Sequence, residues 1–368
     1  MKAVICSQSD FACDYRIHKL RRTLESMGYE VTCLGRKHPQ RSNVQDDVVS
    51  LLDMWFWHGP LFYAELNIRL FFRILFCRRY DLVVAIDLDT LPGCTMATGL
   101  RHEMLLFDSH EYFPGVPEIA NKPVVRWVWN RLQDLFVPFA DVCVTVCQSL
   151  ADIFRQKYGK NFLVVRNVPL AERRCQSSSS DEQPSPRPFT ILYQGAVNVG
   201  RGVEETIRAL PSLPDCHFLV VGDGDVMSSV RQLAADCGVA DRVEFAGRRP
   251  FNELGGFMAR ADVGIVFMQN LCPNYYYSLP NRIFDFIQAG LPILGVDFPE
   301  IARIVRGNDV GICISDPSPD NVRDAVMQIR NNPAMVQRWK DNMARMADSL
   351  TWENEVAELR RTLASASL

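Results

Sequence analysis

The sequence predicts an α/β protein with two doubly wound, Rossmann-like domains facing each other across a cleft. Short apolar runs rich in β-branched residues alternate with amphipathic helical stretches, which is typical of parallel strands covered on both faces. A stretch rich in Ser, Pro and charge at 175–188 interrupts this alternation, which then resumes. The 368 residues, 48% of them hydrophobic, are enough for two separate cores.

The first domain is predicted at 1–170, a linker at 171–188 and the second domain at 189–350. The strand-like runs of the first domain are 2–6, 30–34, 81–86, 104–107, 142–146 and 162–165. Those of the second domain are 189–194, 218–221, 243–245, 263–267, 292–296 and 311–314. Ligands of such sheets bind outside the carboxyl ends of the strands, so we expect the site in the cleft between the domains. A final helix is predicted at 352–368.

Composition limits the classes of partner and compartment. A net charge of −3 gives no general reason to expect nucleic acid. The apolar run at the N-terminus is too short for a secretory signal, and no segment offers about 18 uncharged apolar residues for a membrane span, so we expect a cytoplasmic protein. The 12 cysteines are scattered, which suggests reduced core residues. Cys143 and Cys147 have the spacing of a metal pair or of one strand face, and we favour the core interpretation.

The segment 275–294 predicts an anion-binding helix terminus. Pro280 suits the first helical position, Ser278 or Asn281 can cap the helix, and Gly290 ends it. Its apolar face comprises Ile283, Phe284, Phe286 and Ile287. The free backbone N–H groups at its start, together with Arg282, can hold a diphosphate.

This segment, PNRIFDFIQAGLPI at 280–293, resembles the donor-site pattern P-N-K-x-F-E-Y-x-x-x-G-x-P-V of family 4 glycosyltransferases. Further stations follow the order of that family: YQG at 193–195, GRGVEE at 200–205, VGDG at 221–224 and FAGR at 245–248. The resemblance covers nearly the whole chain. It implies the GT-B fold, with the final helix packing back on the first domain, and transfer of a sugar with retention from a nucleoside-diphosphate sugar. No cofactor or metal is expected.

The resemblance assigns donor-site roles in the second domain. Arg201 and Arg282 would contact the donor diphosphate and count, with His110, as the catalytic residues; a guanidinium can chelate two phosphate oxygens. Asp285 would bind a ribose hydroxyl. The other donor-binding candidates are Gly195, Gly202, Gly222, Gly224, Arg248, Ser278, Leu279, Pro280 and Asn281. The glycines of VGDG are equally consistent with a tight turn.

In the first domain, DSHEY at 108–112 resembles the D-x-H-E station of the family, whose histidine lies near the transferred sugar. His110 would bond a sugar hydroxyl or stabilise positive charge at the anomeric carbon through its carbonyl or its ring. The candidate acceptor or sugar contacts are Asp14, Arg16, Asp89, Glu111 and Tyr277. Asp14 and Asp89 are equally consistent with helix capping.

Two departures from the family pattern leave the donor open. Tyr277 stands where many relatives carry a glutamate, and Ala196 stands where they carry an arginine. The predicted function is glycosyl transfer to a glycan or lipid-linked acceptor in polysaccharide, lipopolysaccharide or glycolipid biosynthesis. The alternatives are a non-catalytic subunit that binds a nucleotide-sugar or a partner, and a sugar-nucleotide epimerase or hydrolase.

The segment 55–80 has two interpretations. Its helix can pack on the sheet with solvated arginines, which we favour, or lie on the inner face of a membrane. In the membrane interpretation the lipid-facing residues are Leu66, Leu70, Phe71, Ile74 and Leu75, beside the aromatic residues Trp55, Phe56 and Trp57.

Overall fold

The computed structural model describes residues 1–366 apart from 10, 12–13, 38–47 and 172–186. The chain divides into two compact units. The first consists of Met1–Asn167 with Glu355–Leu368, and the second of Val168–Asn354. The predicted linker, 171–188, lies outside the described residues except for 171, 187 and 188.

The first unit contains a seven-stranded parallel sheet with the order β3-β2-β1-β4-β5-β6-β7. The strands are β1 (Lys2–Cys6), β2 (Glu30–Arg36), β3 (Val49–Leu52), β4 (Leu82–Ile86), β5 (Met104–Ser109), β6 (Val142–Thr145) and β7 (Phe162–Val164). All six strand-like runs predicted here are strands. The edge strand β3 was not predicted; it is only four residues long, and all four are half-buried.

Helices cover both faces of this sheet. They are α1 (Tyr15–Ser26), α2 (Gly59–Phe76), α3 (Leu91–Arg101), α4 (Pro117–Ala120), α5 (Pro123–Phe136) and α6 (Gln148–Tyr158). The connection from β1 to β2 through α1 crosses the sheet in one direction, whereas the connections through α2, α3, α5 and α6 cross it in the other. Since such crossovers are right-handed, α1 lies on one face and these four helices on the opposite face. The predicted doubly wound fold is confirmed.

The second unit contains a six-stranded parallel sheet with the order β10-β9-β8-β11-β12-β13. The strands are β8 (Phe189–Gln194), β9 (Cys216–Val221), β10 (Val243–Gly247), β11 (Val263–Val266), β12 (Ile293–Val296) and β13 (Gly311–Ile314). Each was predicted. The helices are α7 (Val203–Ala209), α8 (Met227–Asp236), α9 (Leu254–Ala259), α10 (Pro273–Tyr277), α11 (Arg282–Ala289), α12 (Pro299–Val305), α13 (Pro319–Arg330) and α14 (Pro333–Ala347). Phe218, Phe267 and Trp339 are among its fully buried core side chains.

The C-terminal region forms two helices, α15 (Trp352–Glu355) and α16 (Ala357–Ala366), where one was predicted. The carboxylate of Glu355 accepts hydrogen bonds from the backbone N–H of Arg166 at 3.1 Å and from its Nε at 3.0 Å. Arg360 donates to the hydroxyl of Ser26 on α1 at 2.9 Å. Helix α16 therefore packs on the first unit.

Cysteines contribute to the core. Cys143 on β6 and Cys147 before α6 are both buried, in keeping with the core interpretation. The cysteines of the described segments carry free thiols. Within those same segments, no three His, Cys, Asp or Glu side chains lie close enough to hold a metal ion.

Helix α2 packs on the sheet through the face that the membrane interpretation assigned to lipid. Leu66, Leu70 and Ile74 are fully buried. That assignment of the lipid-facing side is therefore wrong, because the most regular apolar stripe of an amphipathic helix is the one that enters the core. In the part of the chain that the structure describes, no helix is long and apolar enough to cross a membrane.

Candidate active site

Two glycine-containing loops meet at the carboxyl edge of the second sheet, after the neighbouring strands β8 and β9. Gly195 and Gly222 both have positive φ, 135° and 149°. A Cβ atom on Gly222 would lie 1.8 Å from the carbonyl oxygen of Gly195, so only glycine allows this approach. A Cβ on Gly224 would lie 2.3 Å from the carbonyl oxygen of Val197. Gly222 and Gly224 thus have a packing role, and their contact with a donor stays a prediction.

Arg282, the first residue of α11, links the carboxyl ends of β8 and β11. Its Nη1 donates to the carbonyl oxygen of Gln194 at 3.2 Å, and its Nη2 donates to that of Phe267 at 3.3 Å. Its guanidinium carbon lies 4.7 Å from the ring centre of Tyr193. The side chain is buried, and among the described residues its Nε has no hydrogen-bond partner. The structure thus holds a buried cation with one unused donor at this edge.

Arg201 lies beside Arg282, in the turn that enters α7. It is placed between Gly200 and Gly202, whose φ angles of 78° and 82° favour glycine. Its guanidinium carbon lies 4.6 Å from the ring centre of Tyr275, and its Nη1 lies 3.5 Å from Met268 Sδ. The buried Nε of Arg201 also has no partner within the described segments.

The two arginines affect each other electrostatically. Burial lowers the pKa of Arg282, and the positive charge of Arg201 lowers it further, while Tyr193 opposes the change. Two cations in this position repel each other, so an anion bound next to both would be stabilised by both charges. The charges of Arg201 and Arg282 are thus close enough to affect each other, whereas the contact of both residues with a diphosphate stays a prediction.

The start of α11 differs from the predicted cap. Asn281 is the N-cap residue, but its side chain makes no capping hydrogen bond. The hydroxyl of Ser278 donates instead to the carbonyl oxygen of Tyr275 at 3.1 Å. Asn281 therefore occupies a predicted N-cap position without the capping hydrogen bond, and the prediction that Ser278 caps the helix is wrong, because local sequence does not reveal that the preceding turn uses the serine. Pro280 precedes the N-cap residue and does not take the predicted first helical position. Gly290 ends the helix in the left-handed conformation, as predicted, and the predicted apolar face is buried.

Asp285 lies in the first turn of α11 and accepts a hydrogen bond from Gln194 Nε2 at 3.0 Å. The buried Oε1 of Gln194 has no partner among the residues that the structure describes. Asp285 and Gln194 therefore form a polar pair next to Arg282. The contact of Asp285 with a ribose hydroxyl stays a prediction.

The remaining donor candidates are dispersed. Leu279 is buried, Pro280 half-buried and Asn281 exposed. Arg248 is exposed after β10, at the edge of the sheet and two strands away from β8, so it does not join the cluster around Arg282. Ala196 is exposed, and its carbonyl oxygen accepts a hydrogen bond from the Tyr193 hydroxyl at 2.5 Å. The half-buried Tyr277 packs edge-on against Tyr276, with ring centres 4.9 Å apart.

In the first unit, two carboxylates hold the ring of His110 at the carboxyl ends of β4 and β5. Its Nε2 lies 3.1 Å from Asp108 Oδ2, and its Nδ1 lies 3.6 Å from Asp87 Oδ2. The backbone N–H of His110 also donates to Asp87 Oδ1 at 2.7 Å. Asp87 has a left-handed φ of 58°, a strained conformation that is often found at functional sites.

Asp108 is in turn fixed by Arg16 of α1. Arg16 Nε and Nη2 donate to the two carboxylate oxygens at 3.0 and 2.7 Å, and Nη1 donates to the carbonyl oxygen of Val165 at 2.7 Å. Burial would raise the pKa of Asp108, but Arg16 and His110 hold it well below the usual range. Arg16 is only 3% exposed, so its observed role is to hold Asp108, and its predicted contact with an acceptor has no support in its position.

These carboxylates decide the charge of His110. Burial alone would lower its pKa, but Asp87 and Asp108 raise the pKa to about 9, so the ring is a cation at neutral pH. A cationic ring repels positive charge at an anomeric carbon. The ring is therefore unsuited to stabilising positive charge at the anomeric carbon. For that role, the prediction is left with the backbone carbonyl of His110.

The other candidate contacts of the first unit have separate roles. Asp14 caps α1 by accepting from the backbone N–H groups of Arg16 and Ile17 at 3.1 and 3.2 Å, which confirms the capping interpretation. Asp89 does not cap α3, whose N-cap residue is Thr90. Burial raises the pKa of Asp89 well above its usual range, and its buried Oδ1 has no partner in the described segments. Glu111 is exposed.

Asp87 and Asp108 were not among the predicted site residues. Both directly follow or end a buried strand run, where a polar residue at the carboxyl edge is the available signal. The motif D-x-H also places Asp108 two residues before His110, on the same side of an extended chain. The contact of both carboxylates with the imidazole depends on the pairing of β4 with β5, and this pairing cannot be read from the sequence alone.

Two family models match successive parts of the chain. A model described as glycosyl transferase 4-like domain matches residues 13–168, and one described as glycosyl transferases group 1 matches residues 176–346. Together they span most of the chain, and the predicted resemblance is confirmed.

Curated relatives are more distant. A GDP-mannose-dependent phosphatidylinositol monomannoside mannosyltransferase of Mycobacterium tuberculosis is 29% identical over 145 residues, 38% of each chain. A lipopolysaccharide core biosynthesis glycosyltransferase of Rhizobium meliloti is 21% identical over 67% of each chain. The chain spans only 38–39% of the length of the first curated relatives it matches.

Solved structures share the fold over the whole length. HepE of Anabaena, solved with UDP and glucose, has a TM-score of 0.77 at 15% identity. The match covers 99% of this chain and 100% of HepE. Sucrose-phosphate synthase of Thermosynechococcus elongatus has a TM-score of 0.74 at 20% identity, with full coverage of both chains. At such identities the likeness shows the fold alone. By its two matched domains, the chain belongs to the glycosyltransferases that combine a glycosyl transferase 4-like domain with a group 1 domain.

Proposed function

We propose that the protein transfers a hexosyl group, with retention at the anomeric carbon, from a nucleoside-diphosphate sugar to an acceptor hydroxyl. The observation that carries the proposal is the pair Arg201 and Arg282, whose buried Nε atoms have no partner in the described part of the chain. Both lie at the carboxyl edge of a parallel sheet, where such folds bind ligands. The family membership of the chain and the UDP and glucose bound to HepE support a nucleotide-sugar donor.

The leaving diphosphate is the group that these residues would stabilise. The acceptor oxygen forms the new bond to the anomeric carbon as the bond between that carbon and the phosphate oxygen breaks. The electron pair of the broken bond stays on the phosphate oxygen, so negative charge accumulates on the diphosphate, which also takes up the proton of the acceptor hydroxyl. We infer that Arg201, Arg282 and the N-terminus of α11 neutralise this charge. In this mechanism the protein supplies the charge from its own groups and uses no cofactor or metal.

His110 would act on the sugar through its backbone carbonyl, because both ring nitrogens face carboxylates. The acceptor would be a glycan or a lipid-linked sugar, in polysaccharide, lipopolysaccharide or glycolipid biosynthesis. The lipopolysaccharide and phosphatidylinositol mannoside enzymes among the relatives support that class of acceptor. Glu111 and Tyr277 are the proposed acceptor or sugar contacts, whereas Asp89 is only 1% exposed and is buried as Arg16 is.

Thermal shift of the full chain against UDP-, GDP-, ADP- and CMP-sugars tests the donor. A ligand at 100 times its dissociation constant stabilises the folded state by about 2.7 kcal/mol. We expect one base to raise the melting temperature, and Arg201→Ala and Arg282→Ala to abolish the rise. Arg208→Ala is the matched control, since Arg208 is exposed at the other end of α7. A chain that no nucleotide-sugar stabilises would contradict the proposal.

A non-catalytic subunit is the second candidate, and Ala196 favours it. This exposed residue stands where many relatives carry an arginine, so one cation near the diphosphate is absent. Such a subunit would bind the nucleotide-sugar without turnover. Release of nucleoside diphosphate only in the presence of acceptor would exclude it, and conversion of the donor without acceptor would instead indicate an epimerase or hydrolase.

We also propose peripheral contact with the inner face of a membrane through 55–80. Trp55 is 81% exposed, and the neighbouring Phe56 and Trp57 are also exposed. The buried Glu65 holds this aromatic loop by accepting from the backbone N–H groups of Trp55 at 3.0 Å and Phe56 at 2.9 Å. The loop is therefore fixed while its rings are exposed. Failure of the purified protein to sediment with anionic vesicles would contradict this contact.

A further inference from the structure

Helix α5 has an exposed apolar side that no part of the proposed reaction uses. Its inner face carries the buried residues Trp129 and Gln133. Its outer face carries apolar side chains that are 41–73% exposed: Val124, Trp127, Val128 and Leu135. Phe139, in the turn that follows, is 63% exposed. Since isolated exposed apolar residues are normal but a continuous row is not, this outer face indicates a contact surface.

Helix α2, like α5, has a buried face and an exposed apolar face on its opposite side. Opposite its buried face lies a row of side chains separated by seven, four and four residues, each between 48% and 77% exposed: Leu61, Ile68, Phe72 and Phe76. The rings of Phe72 and Phe76 stack in parallel, with centres 5.8 Å apart. Of the residues that the membrane interpretation assigned to lipid, Leu66, Leu70 and Ile74 are buried and Phe71 and Leu75 are half-buried, so the opposite row is the exposed apolar side of the helix.

The two outer rows face the same side of the first unit. Both helices connect strands in the same direction across the sheet, so right-handed crossovers place them in one layer. They touch at Tyr63 of α2 and Trp129 of α5, whose rings meet edge to face with centres 4.9 Å apart. Because each inner face packs toward the sheet, both outer rows point away from it.

Positive charge surrounds these rows. The basic side chains at 55–79 and 122–139 are Arg69, Arg73, Arg78, Arg79, Lys122, Arg126 and Arg131. The acidic side chains in the same ranges are Glu65 and Asp134. Glu65 pairs with Arg69 and Asp134 with Lys157, both at 2.7 Å, and Arg131 also lies 4.0 Å from Asp134. Arg78 pairs with Glu30 of β2 at 2.6 Å. This excess contrasts with the net charge of −3 of the whole chain.

We propose that the outer faces of α2 and α5 form one surface that binds an anionic lipid bilayer, with α5 as a second contact element. The inference extends the proposed peripheral contact through 55–80 and rests on it. Exposed aromatic and aliphatic side chains flanked by arginines match the boundary between acyl chains and acidic headgroups. A second copy fits less well, because a two-fold contact would bring two basic surfaces together.

Co-sedimentation of the full chain with vesicles tests the role of α5. The vesicles contain phosphatidylglycerol and phosphatidylcholine, or phosphatidylcholine alone. One basic residue near an anionic surface contributes about fivefold in partitioning, so we expect Arg126→Gln with Arg131→Gln to weaken binding to anionic vesicles about 25-fold. Trp127→Ala should weaken it about tenfold through lost apolar burial. Met327→Ser, at an exposed apolar position of α13 in the second unit, should change nothing.

The outcomes separate this inference from the proposals beneath it. If the α5 variants bind as the parent does while Phe72→Ser with Phe76→Ser loses binding, α5 is not a contact element and 55–80 acts alone. If the parent protein sediments with neither vesicle type, both membrane proposals fail. The thermal shift with nucleotide-sugars, measured on the same sample, still tests the transferase proposal. A concentration-dependent dimer that the α5 variants abolish, seen by light scattering without vesicles, would replace the bilayer with a second copy.

Discussion

Arg282 shows how one side chain joins packing and binding. Two of its donors satisfy backbone carbonyls at the ends of β8 and β11, while its Nε is left with no partner among the described residues. A lysine in the same place would keep the charge but would not reach both carbonyls. Arg282 thus links the ends of two strands by hydrogen bonds and is also a candidate phosphate ligand.

Arg282→Lys should therefore reduce stability as well as donor binding. Leaving a buried carbonyl oxygen without its donor costs about 1–3 kcal/mol in the free energy of unfolding. Urea unfolding measures the change, and Arg208→Lys at an exposed position is the control. If Arg282→Lys unfolds at the urea concentration of the parent, the guanidinium does not link the two strands.

His110 makes stability depend on pH in a defined direction. Its pKa is raised from an ordinary 6.5 to about 9, so its stabilising contribution is complete below pH 6.5 and is lost as the pH rises through 9. The raised pKa corresponds to about 3 kcal/mol. Urea unfolding at pH 6 and pH 9 should show this loss in the parent and a smaller one in His110→Gln. Equal losses in the two proteins would mean that another group titrates.

At the scale of elements, the loops after β8 and β9 depend on backbone contact between Gly195 and Gly222. Gly222→Ala should destabilise the fold by about 3 kcal/mol or more, because a Cβ cannot fit against a carbonyl oxygen and φ is positive. Gly28→Ala is the matched control, with a φ of 88° but no atom within 4 Å of the added Cβ. The control should lose only about 1 kcal/mol, for conformational strain alone. Equal losses would contradict the close contact.

The two faces of α2 should respond differently to truncation. Leu70 is fully buried, so Leu70→Ala should lower the free energy of unfolding by about 3 kcal/mol. Ile68 is 54% exposed, and Ile68→Ala should change it by less than about 0.5 kcal/mol. Urea unfolding of both variants checks the orientation of the helix. A larger loss for Ile68→Ala would mean that the helix is rotated about its axis.

At the scale of the whole molecule, sequence predicted what depends on periodicity and order along the chain. The twelve strand-like runs, the two doubly wound sheets and the succession of family motifs are of this kind. Strand β3 was missed because four residues are too few to show a period. The favoured interpretation, a helix α2 that packs in the domain, is confirmed, and only the membrane alternative assigned the core side of α2 to lipid, because a helix apolar on two sides gives two acceptable faces.

The candidate site was less predictable because its contacts are tertiary. Arg201 and Arg282 were found from motifs, but the carbonyls that hold Arg282 come from two strands distant in sequence. Similarly, the charge of His110 is set by Asp87 of one strand end and Asp108 of the next. Motifs therefore identified residues, and the sheet order determined their chemistry.

The most direct measurement of the central claim is calorimetric titration of the full chain with UDP and GDP, each compared with its monophosphate. If Arg201 and Arg282 bind the second phosphate, one diphosphate should bind at least tenfold more tightly than its monophosphate, since a charge-assisted contact contributes about 1.5–3 kcal/mol. The preference should disappear when both arginines are replaced by alanine. Equal affinity for diphosphate and monophosphate in the parent, or a preference that survives the double substitution, would contradict the account.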